Sequence, residues 1–573
     1  MERNWKIKPA GNPLAIDQLS QALNIDKVLA SLLVQRGITS FNEAKAFFRP
    51  ELSQLHDPFL MKDMDKAVKR LSDAIEKGEK ILIYGDYDVD GTTSVALVYS
   101  FLKEIYPEEK LDYYIPDRYS QGYGISVQGI EYASSNNFSL VIALDCGIKA
   151  IEKIDLANEK KVDFIICDHH TPGDEIPAAV AVLDPKRNDC DYPFKHLSGC
   201  GVGFKMLQAF AEKEEIPFYK LEPYLDLVCV SIASDIVPII GENRILAHFG
   251  LLQLNQHPTQ GLLSIIKTSN LQGKEISISD IVFKIGPRIN AAGRMESGRK
   301  SVDLLIASNH DDAGVVMTEV NTFNDARKDL DRNITQEALE MIHQSPDLQK
   351  MKSTVLFKPD WHKGVIGIVA SRLIEHYYRP TIILTESNGF ATGSARTVEG
   401  YDIYQAIESC SDLLENFGGH AYAAGLTLKV EHVPIFIERF EKFIQETIKP
   451  EQLIPQIEID AILDLSDITP KFYRILKQFA PFGPENMSPV FVTRNVTDYE
   501  SGRLVGKNQE HLKLELIQND HNRLRVPAIA FNMSEYYELM SRRIPFSVAY
   551  TIVENEFRGR TNLQLVVKDI KVS

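Results

Sequence analysis

Short apolar runs alternate with amphipathic stretches through the first half of the chain. Runs typical of buried β-strands lie at residues 81–84, 140–144, 164–167 and 179–183. Stretches with helical periodicity separate them, for example residues 93–104 and 148–159. Alternation of this kind predicts a parallel sheet with helices on both faces, within a domain of residues 46–305.

The pattern changes after residue 305. Residues 311–344 contain no proline, and apolar residues recur there at helical steps, which predicts a connecting helix over residues 306–345. Its apolar face consists of Val316, Val320, Phe323, Leu330, Ile334, Ala338 and Met341. Such a helix either links two lobes or is an ordinary core helix.

A second α/β unit is predicted over residues 346–450, with strands near 353–357 and 381–384. After Pro450 and Pro455, strand-like runs lie at residues 489–496, 512–517, 545–553 and 561–567. These runs predict a small β-barrel over residues 451–573, and residues 1–45 are expected to form a helical N-terminal segment. The predicted fold class is α/β: two α/β lobes joined by a long helix, plus a C-terminal β-barrel.

Carboxylates and histidines follow several of the predicted strands. They are Asp86, Asp88, Asp90, Asp145, His169, His170 and Asp235. In open α/β sheets, ligands bind at the carboxyl ends of the strands. Mg²⁺ and Mn²⁺ prefer carboxylate oxygens, and Mn²⁺ also accepts imidazole. The set is large enough for two ions roughly 3.5–4 Å apart, the spacing of two-metal phosphotransfer sites.

Parts of this set also fit simpler interpretations. The Asp-x-Asp-x-Asp-Gly run overlaps the start of an EF-hand calcium loop. An EF-hand needs glutamate at loop position twelve, where Leu97 stands if Asp86 is position one. An isolated aspartate at the end of an element is more often a turn residue or a helix cap. Only the complete set, with each member at a strand end, indicates a metal site.

The composition is that of a globular protein: 44% of the 573 residues are hydrophobic and 25% are charged. No apolar run approaches the roughly 20 residues that span a bilayer, and no signal-peptide core follows Met1, so we expect a cytoplasmic protein. The net charge of −16 argues against a nucleic-acid partner, although local fields matter more than this sum. The six cysteines include no Cys-x-x-Cys pair, so neither a disulfide framework nor a zinc ribbon is expected.

Longer motifs surround these residues. They span residues 84–91, 113–118, 122–124, 145–147, 168–170, 286–294, 361–367, 393–396, 417–420 and 423–425. On these motifs the chain closely resembles the DHH phosphoesterase superfamily and, within it, the RecJ family of single-strand-specific exonucleases. The resemblance implies that the two lobes are a DHH domain and a DHH-associated domain, and that the barrel is OB-like.

The resemblance also implies the metal ligands. They fall on Asp88, Asp90, Asp145, His169 and Asp235, with Asp86 as an additional candidate. Asp145 is expected to bridge two ions. Asp88 would bind one of them, and Asp90, His169 and Asp235 would complete the other. Family II pyrophosphatases have a histidine where Tyr84 stands, which leaves the ion served by Asp88 less defined. His170 is expected to contact the scissile phosphate and, with Asp145 and Asp168, forms the predicted catalytic set.

Basic residues indicate the substrate. A local positive patch extends from Lys284 to Lys300, and its arginines suit phosphate contacts, although a solvated surface is the alternative. By resemblance the substrate-binding residues are Arg118, Tyr123, Arg288, Arg294, Ser394, Arg396, His420 and Lys507. Tyr123 is expected to stack on a base, and Ser394 and Arg396 to hold the 5′ end.

The implied activity is a 5′→3′ exonuclease that degrades single-stranded DNA to 5′-mononucleotides in DNA repair and recombination, with two Mn²⁺ or Mg²⁺ ions activating water. Implied partners are single-stranded DNA, a single-strand-binding protein and a helicase, with no membrane partner and a monomeric state. Two alternatives remain: a small-substrate phosphodiesterase or pyrophosphatase, disfavoured by the OB-like domain, and a non-enzymatic scaffold, disfavoured by the filled ligand positions.

Overall fold

The computed structural model describes residues 3–518, 524–542, 544–557 and 559–572. The chain divides into two units: one lies within residues 1–54, 238–240 and 456–573, and the other comprises residues 55–237 and 241–455. Among the described residues, no helix combines the length and apolar character needed to cross a membrane.

The first unit begins with one strand and three helices. They are β1 (Asn4–Ile7), α1 (Pro13–Leu23), α2 (Lys27–Gln35) and α3 (Phe41–Phe48). Each helix starts at a polar cap, because Asn12, Asp26 and Ser40 accept hydrogen bonds from backbone amides of the first turn.

The first lobe of the second unit is built on five parallel strands in the order β3-β2-β4-β5-β6. The strands are β2 (Lys80–Gly85), β3 (Leu111–Tyr114), β4 (Phe138–Leu144), β5 (Asp163–Cys167) and β6 (Ala181–Leu183). The helices are α4 (Met64–Glu76), α5 (Val89–Ile105), α6 (Val127–Ser135), α7 (Ile151–Glu159), α8 (Gly199–Lys213), α9 (Leu225–Ser234), α10 (Gly241–Gln256), α11 (Gln260–Thr268), α12 (Ile278–Asp280), α13 (Gly286–Met295) and α14 (Arg299–Leu305). Strand residues are nearly all buried, as expected for continuous apolar runs covered by helices.

The predicted connecting helix is present as α15 (His310–Gln344). Its apolar face is only partly as predicted: Val320, Ile334 and Ala338 are buried, whereas Val316, Phe323, Leu330 and Met341 are half-buried. The middle of the buried stripe is polar instead. The Arg327 guanidinium donates to Asn324, and Asp331 accepts from Arg372, so these polar contacts replace the expected apolar packing.

The second lobe carries a mixed five-stranded sheet in the order β10-β11-β9-β8-β7, in which only β7 and β8 pair in parallel. Its elements are α16 (Pro346–Lys350), β7 (Thr354–Phe357), α17 (Ile366–His376), β8 (Thr381–Ser387), β9 (Phe390–Arg396), α18 (Ile403–Glu408), β10 (Leu414–His420), β11 (Ala423–Lys429) and α19 (Val433–Thr447).

The rest of the first unit is a β-barrel. Its elements are β12 (Gln456–Ile459), β13 (Ala461–Ile462), α20 (Pro470–Lys477), β14 (Phe491–Asp498), β15 (Arg503–Val505), β16 (His511–Gln518), β17 (Val526–Ala530), α21 (Tyr537–Ser541), β18 (Phe546–Phe557) and β19 (Arg560–Val572). Among the described strands, seven form the sheet β13-β14-β18-β19-β17-β16-β15, and an additional β14–β16 pairing closes it. Leu29 and Leu33 of α2 share its core with Phe479 and Leu512, so the N-terminal helices and the barrel are stabilised together.

Candidate active site

Most of the predicted ligands lie at or just beyond the carboxyl ends of β2, β4 and β5, but Asp235 follows the helix α9 and not a strand as expected. Asp86 and Asp88 follow β2, and Asp88 caps α5 by accepting a hydrogen bond from the Gly91 amide at 3.0 Å. Asp145 follows β4 with φ of +58°, a left-handed conformation that aspartate tolerates better than most residues. His169 lies two residues beyond the end of β5.

His169 lies among three carboxylates. Its Nε2 atom is 3.1 Å from Oδ1 of Asp145, 3.5 Å from Oδ2 of Asp235 and 3.6 Å from Oδ2 of Asp90. Two overlapping groups have the geometry to hold a metal ion: Asp90, His169 and Asp235, and Asp145, His169 and His170. The fold therefore brings four of the predicted ligands into one cluster, with His170 at its edge.

Electrostatics favour a cation in this cluster. Burial, reinforced by neighbouring aspartates, raises the pKa values of Asp86, Asp88 and Asp145, and raises that of Asp235 to about 8. Burial lowers the pKa of His169 to about 4 despite nearby carboxylates, so its imidazole is neutral and free to coordinate.

Unsatisfied polar atoms test whether a metal ion fits. Both carboxylate oxygens of Asp86, Oδ1 of Asp145 and both ring nitrogens of His169 are buried without a hydrogen-bond partner. Such groups are costly unless a cation satisfies them. Carboxylate oxygens and a neutral imidazole suit Mn²⁺, and the carboxylates suit Mg²⁺, so the residues present fit the expected ions.

Sequence reasoning missed the groups that hold Asp90. Its carboxylate accepts hydrogen bonds from the Gly199 amide at 2.7 Å, the Cys200 amide at 2.8 Å and the Ser231 hydroxyl at 2.7 Å. The two amides belong to the first turn of α8, where the helix dipole also favours a negative charge. A Cβ on Gly199 would stand 2.5 Å from Cβ of Asp145, so only glycine fits. The three alternate glycines Gly199, Gly201 and Gly203 were the available signal in the sequence.

Asp168 orients His170. Its Oδ1 atom accepts a hydrogen bond from Nδ1 of His170 at 2.7 Å, and Oδ2 accepts one from the Ile148 amide at 2.9 Å. Burial opposes the charge on His170, but the hydrogen bond and charge of Asp168 outweigh it and raise the His170 pKa to about 9. Burial would raise the pKa of Asp168, but the hydrogen bond and positive charge of His170 outweigh it and lower this pKa to about 2. His170 therefore presents a positive charge beside the cluster.

Tyr123 lies against both the ligands and His170. Its hydroxyl donates to the backbone carbonyl of Asp145 at 3.1 Å, and its ring meets His170 edge-on at 5.7 Å. Tyr123 remains more than half exposed, so it is accessible to a ligand.

Several of the predicted arginines gather near the same acids. Burial and the nearby positive charges of Arg118, Arg327 and Arg396 lower the pKa of Arg294 to about 10. Arg294 donates to the Gly364 carbonyl of the second lobe at 3.0 Å, and Arg396 donates to the Ser394 hydroxyl at 3.0 Å. Concentrated positive charge of this kind indicates an anionic ligand such as phosphate.

The remaining predicted substrate residues are more dispersed. His420 helps to line a half-open cavity of about 770 Å³ with Tyr123, Asp168 and His170. Arg288 is half-buried on α13 and donates to the Lys284 carbonyl at 2.6 Å. Lys507 belongs to the other unit, where it is exposed in the turn between β15 and β16. In that unit, Arg503 and Lys513 line a second pocket with Asn555 and Asn562.

Three family models match the chain. They are the DHH family, N-terminal domain, over residues 80–232, the DHHA1 domain over residues 350–446 and the RecJ OB domain over residues 459–569. Two α/β lobes, an acidic metal-type cluster and an OB barrel define a phosphoesterase of the DHH class.

Similar proteins of known name identify the family within this class. A Bacillus subtilis protein named single-stranded-DNA-specific exonuclease RecJ is 36% identical over 562 residues, covering 97% of this chain and 70% of the relative. The Escherichia coli protein of the same name is 30% identical, with 95% of each chain covered. The crystal structure of Thermus thermophilus RecJ with Mn²⁺ has a TM-score of 0.84 and 26% identity, covering all of this chain and 80% of that one. A structure of RecJ from the same organism contains Mg²⁺. The chain belongs to the RecJ family.

These findings confirm the predicted family, the fold class with its C-terminal OB-like barrel, and the choice of Mn²⁺ or Mg²⁺. The individual site residues and the domain limits stay predictions.

Proposed function

We propose that this protein is a metal-dependent exonuclease that degrades single-stranded DNA from the 5′ end to 5′-mononucleotides. The observation that carries the proposal is the cluster of buried Asp90, Asp145 and His169 with half-buried Asp235, which has unsatisfied polar atoms and lies beside a concentration of arginines. Membership of a family whose named members are single-stranded-DNA-specific exonucleases supports the substrate.

The chain's own residues would hold the metal ions, orient the scissile phosphate and neutralise its charge. Asp88, Asp90, Asp145, His169 and Asp235 would hold two divalent ions, with Asp86 as a further candidate. Such ions supply a nucleophile at neutral pH by lowering the pKa of bound water.

The scissile phosphate is held by positive charge. His170, kept protonated by Asp168, donates to a phosphate oxygen and offsets the charge that accumulates there during in-line attack. Arg118 and Arg294 add positive charge, while Ser394, Arg396 and His420 hold the terminal phosphate. In the barrel, Lys507 and the pair Arg503 and Lys513 bind the phosphates of longer strands.

Degradation of three DNA substrates tests the proposal: a 5′-labelled single strand, its 3′-labelled twin and a blunt duplex, each with Mn²⁺ and with EDTA. We expect immediate mononucleotide release from the 5′ label, a shortening ladder from the 3′ label, and no reaction with duplex or EDTA. Cleavage restricted to oligomers of a few nucleotides would instead indicate a small-substrate phosphodiesterase.

The barrel's contribution has its own test. Arg503→Glu combined with Lys513→Glu should weaken the binding of long strands more than that of short ones, and equal effects on both would refute a role in strand binding. A cytoplasmic location, a monomeric state, a role in repair and recombination, and assembly with a single-strand-binding protein and a helicase belong to the same proposal.

A further inference from the structure

Ile236 directly follows the candidate ligand Asp235 and has two features that folding alone does not favour. Its φ is +59°, a left-handed conformation that β-branched residues rarely adopt. The residue is 64% exposed. Glycine or asparagine would suit this backbone, and a polar side chain would suit this exposure. Strained backbone of this kind clusters at functional sites.

A second exposed apolar side chain lies on a neighbouring segment. The π-helical turn Ile281–Ile285 packs against α9, the helix that ends just before Asp235. Gly286, which follows this turn, meets the end of α9 so closely that a Cβ would stand 2.8 Å from the Ser234 hydroxyl. Phe283, within the turn, is 75% exposed. π-helical turns frequently mark functional sites.

Positive charge accompanies these two apolar side chains. Lys284 follows Phe283 and is ion-paired with Asp280 at 2.7 Å. Arg288 lies one helical turn further on, with its Nε atom buried and without a hydrogen-bond partner. From there α13 runs towards Tyr87, because a Cβ on Gly293 would stand 2.6 Å from the Tyr87 carbonyl oxygen. A single DNA strand matches this combination, since its phosphates need cations while its unpaired bases and sugars present apolar faces.

We propose that Ile236 and Phe283 form an apolar platform that contacts the sugars and bases of the nucleotides next to the scissile phosphate. The proposal rests on the exonuclease function proposed above and names two substrate-binding residues for it. Contacts of this kind tolerate any base sequence, because every base has an apolar face. The left-handed backbone at Ile236 is retained because it directs the side chain out of the fold, beside the ligand Asp235.

Substituting Ile236 by glycine distinguishes a role in DNA binding from a purely structural role. Ile236→Gly removes the backbone strain, so its thermal midpoint should rise. Its dissociation constant for single-stranded DNA in EDTA should nevertheless increase about fivefold or more, with a similar loss of kcat/KM in Mn²⁺. Lys161 is the matched control, because it is exposed with the same φ of +59°, and Lys161→Gly should gain stability with unchanged DNA affinity. An Ile236→Gly protein with wild-type affinity would overturn the proposal.

Strands that lack bases near the 5′ end identify the contacted group. On such abasic strands Ile236→Gly should lose less affinity than it does on normal strands, whereas equal losses on normal and abasic strands would overturn the base contact. Phe283→Ala should weaken binding while Phe283→Trp preserves it, and Tyr219→Ala, at an exposed aromatic residue elsewhere, should change nothing. Because binding is measured in EDTA, a wild type that binds but does not degrade DNA would refute only the proposed exonuclease function.

Discussion

Gly199 offers a sharp test of how the metal cluster is held. An alanine Cβ at this position would stand 2.5 Å from Cβ, 2.7 Å from Oδ1 and 2.8 Å from Cα of Asp145. Ordinary carbon contacts are about 3.5–4.0 Å, so Asp145 or the first turn of α8 must move by roughly 1 Å. The same movement disturbs the 2.7 Å hydrogen bond from the Gly199 amide to Asp90.

The effect on function should exceed the effect on stability. Overpacking of this size costs about 1–3 kcal/mol of unfolding free energy. A displacement of about 1 Å at reacting groups can reduce the rate about 100-fold, and disturbing the groups that orient metal ligands costs about 10–100-fold in metal affinity. We therefore expect Gly199→Ala to stay folded but to need far more Mn²⁺ and to lose at least about 100-fold in kcat.

Gly201 is the matched control on the same helix. A Cβ there would meet its nearest neighbours at 3.4 Å, an ordinary contact, and alanine favours the helix by about 0.5–1 kcal/mol. Circular dichroism melts, Mn²⁺ titrations and single-strand degradation should be measured for both variants. If Gly199→Ala matches Gly201→Ala in Mn²⁺ requirement and kcat, the cluster does not depend on this close contact.

Three further predictions follow from individual residues. Asp145→Ala should abolish hydrolysis and remove the rise in thermal midpoint that Mn²⁺ gives the wild type; near-normal activity would refute its role as the bridging ligand. Arg396→Ala should lose the preference for 5′-phosphorylated strands, because a hydrogen bond to a charged group contributes about 1.5–3 kcal/mol. Arg439 is an exposed, ion-paired arginine of the same lobe, and Arg439→Ala should keep the preference. Burial raises the pKa of Asp226 to about 7, above its unfolded value of about 3.9, so its stabilising contribution is fully present below about pH 4 and is lost as the pH rises through about 7. Asp226→Asn should flatten that part of the stability–pH curve in chemical denaturation, and an unchanged curve would contradict the assignment.

The clustering of the predicted ligands follows from one local rule. Asp86, Asp145 and His169 each follow an apolar strand, and parallel strands bring their carboxyl ends to one edge of a sheet. Strand positions, the long helix and the C-terminal barrel follow from the same apolar periodicity.

Contacts between distant parts of the chain were not predictable in this way. The amide of Gly199 holds Asp90 across 109 residues, and no periodicity encodes that pairing. Arg36 donates to Asn486 across 450 residues, within the unit that joins the N-terminal helices to the barrel. On α15, the spacing of apolar residues predicted a continuous apolar face, but the buried Arg327 and Asp331 interrupt it.

Product analysis on a long single strand tests the central claim most directly. The wild type and Asp145→Ala would be incubated with uniformly labelled single-stranded DNA in Mn²⁺ or in EDTA, and the products separated by chromatography. We predict 5′-mononucleotides from the wild type in Mn²⁺, and none in EDTA or from Asp145→Ala. Short oligonucleotides as the main product, or mononucleotides that persist in EDTA, would contradict a metal-dependent exonuclease built on this cluster.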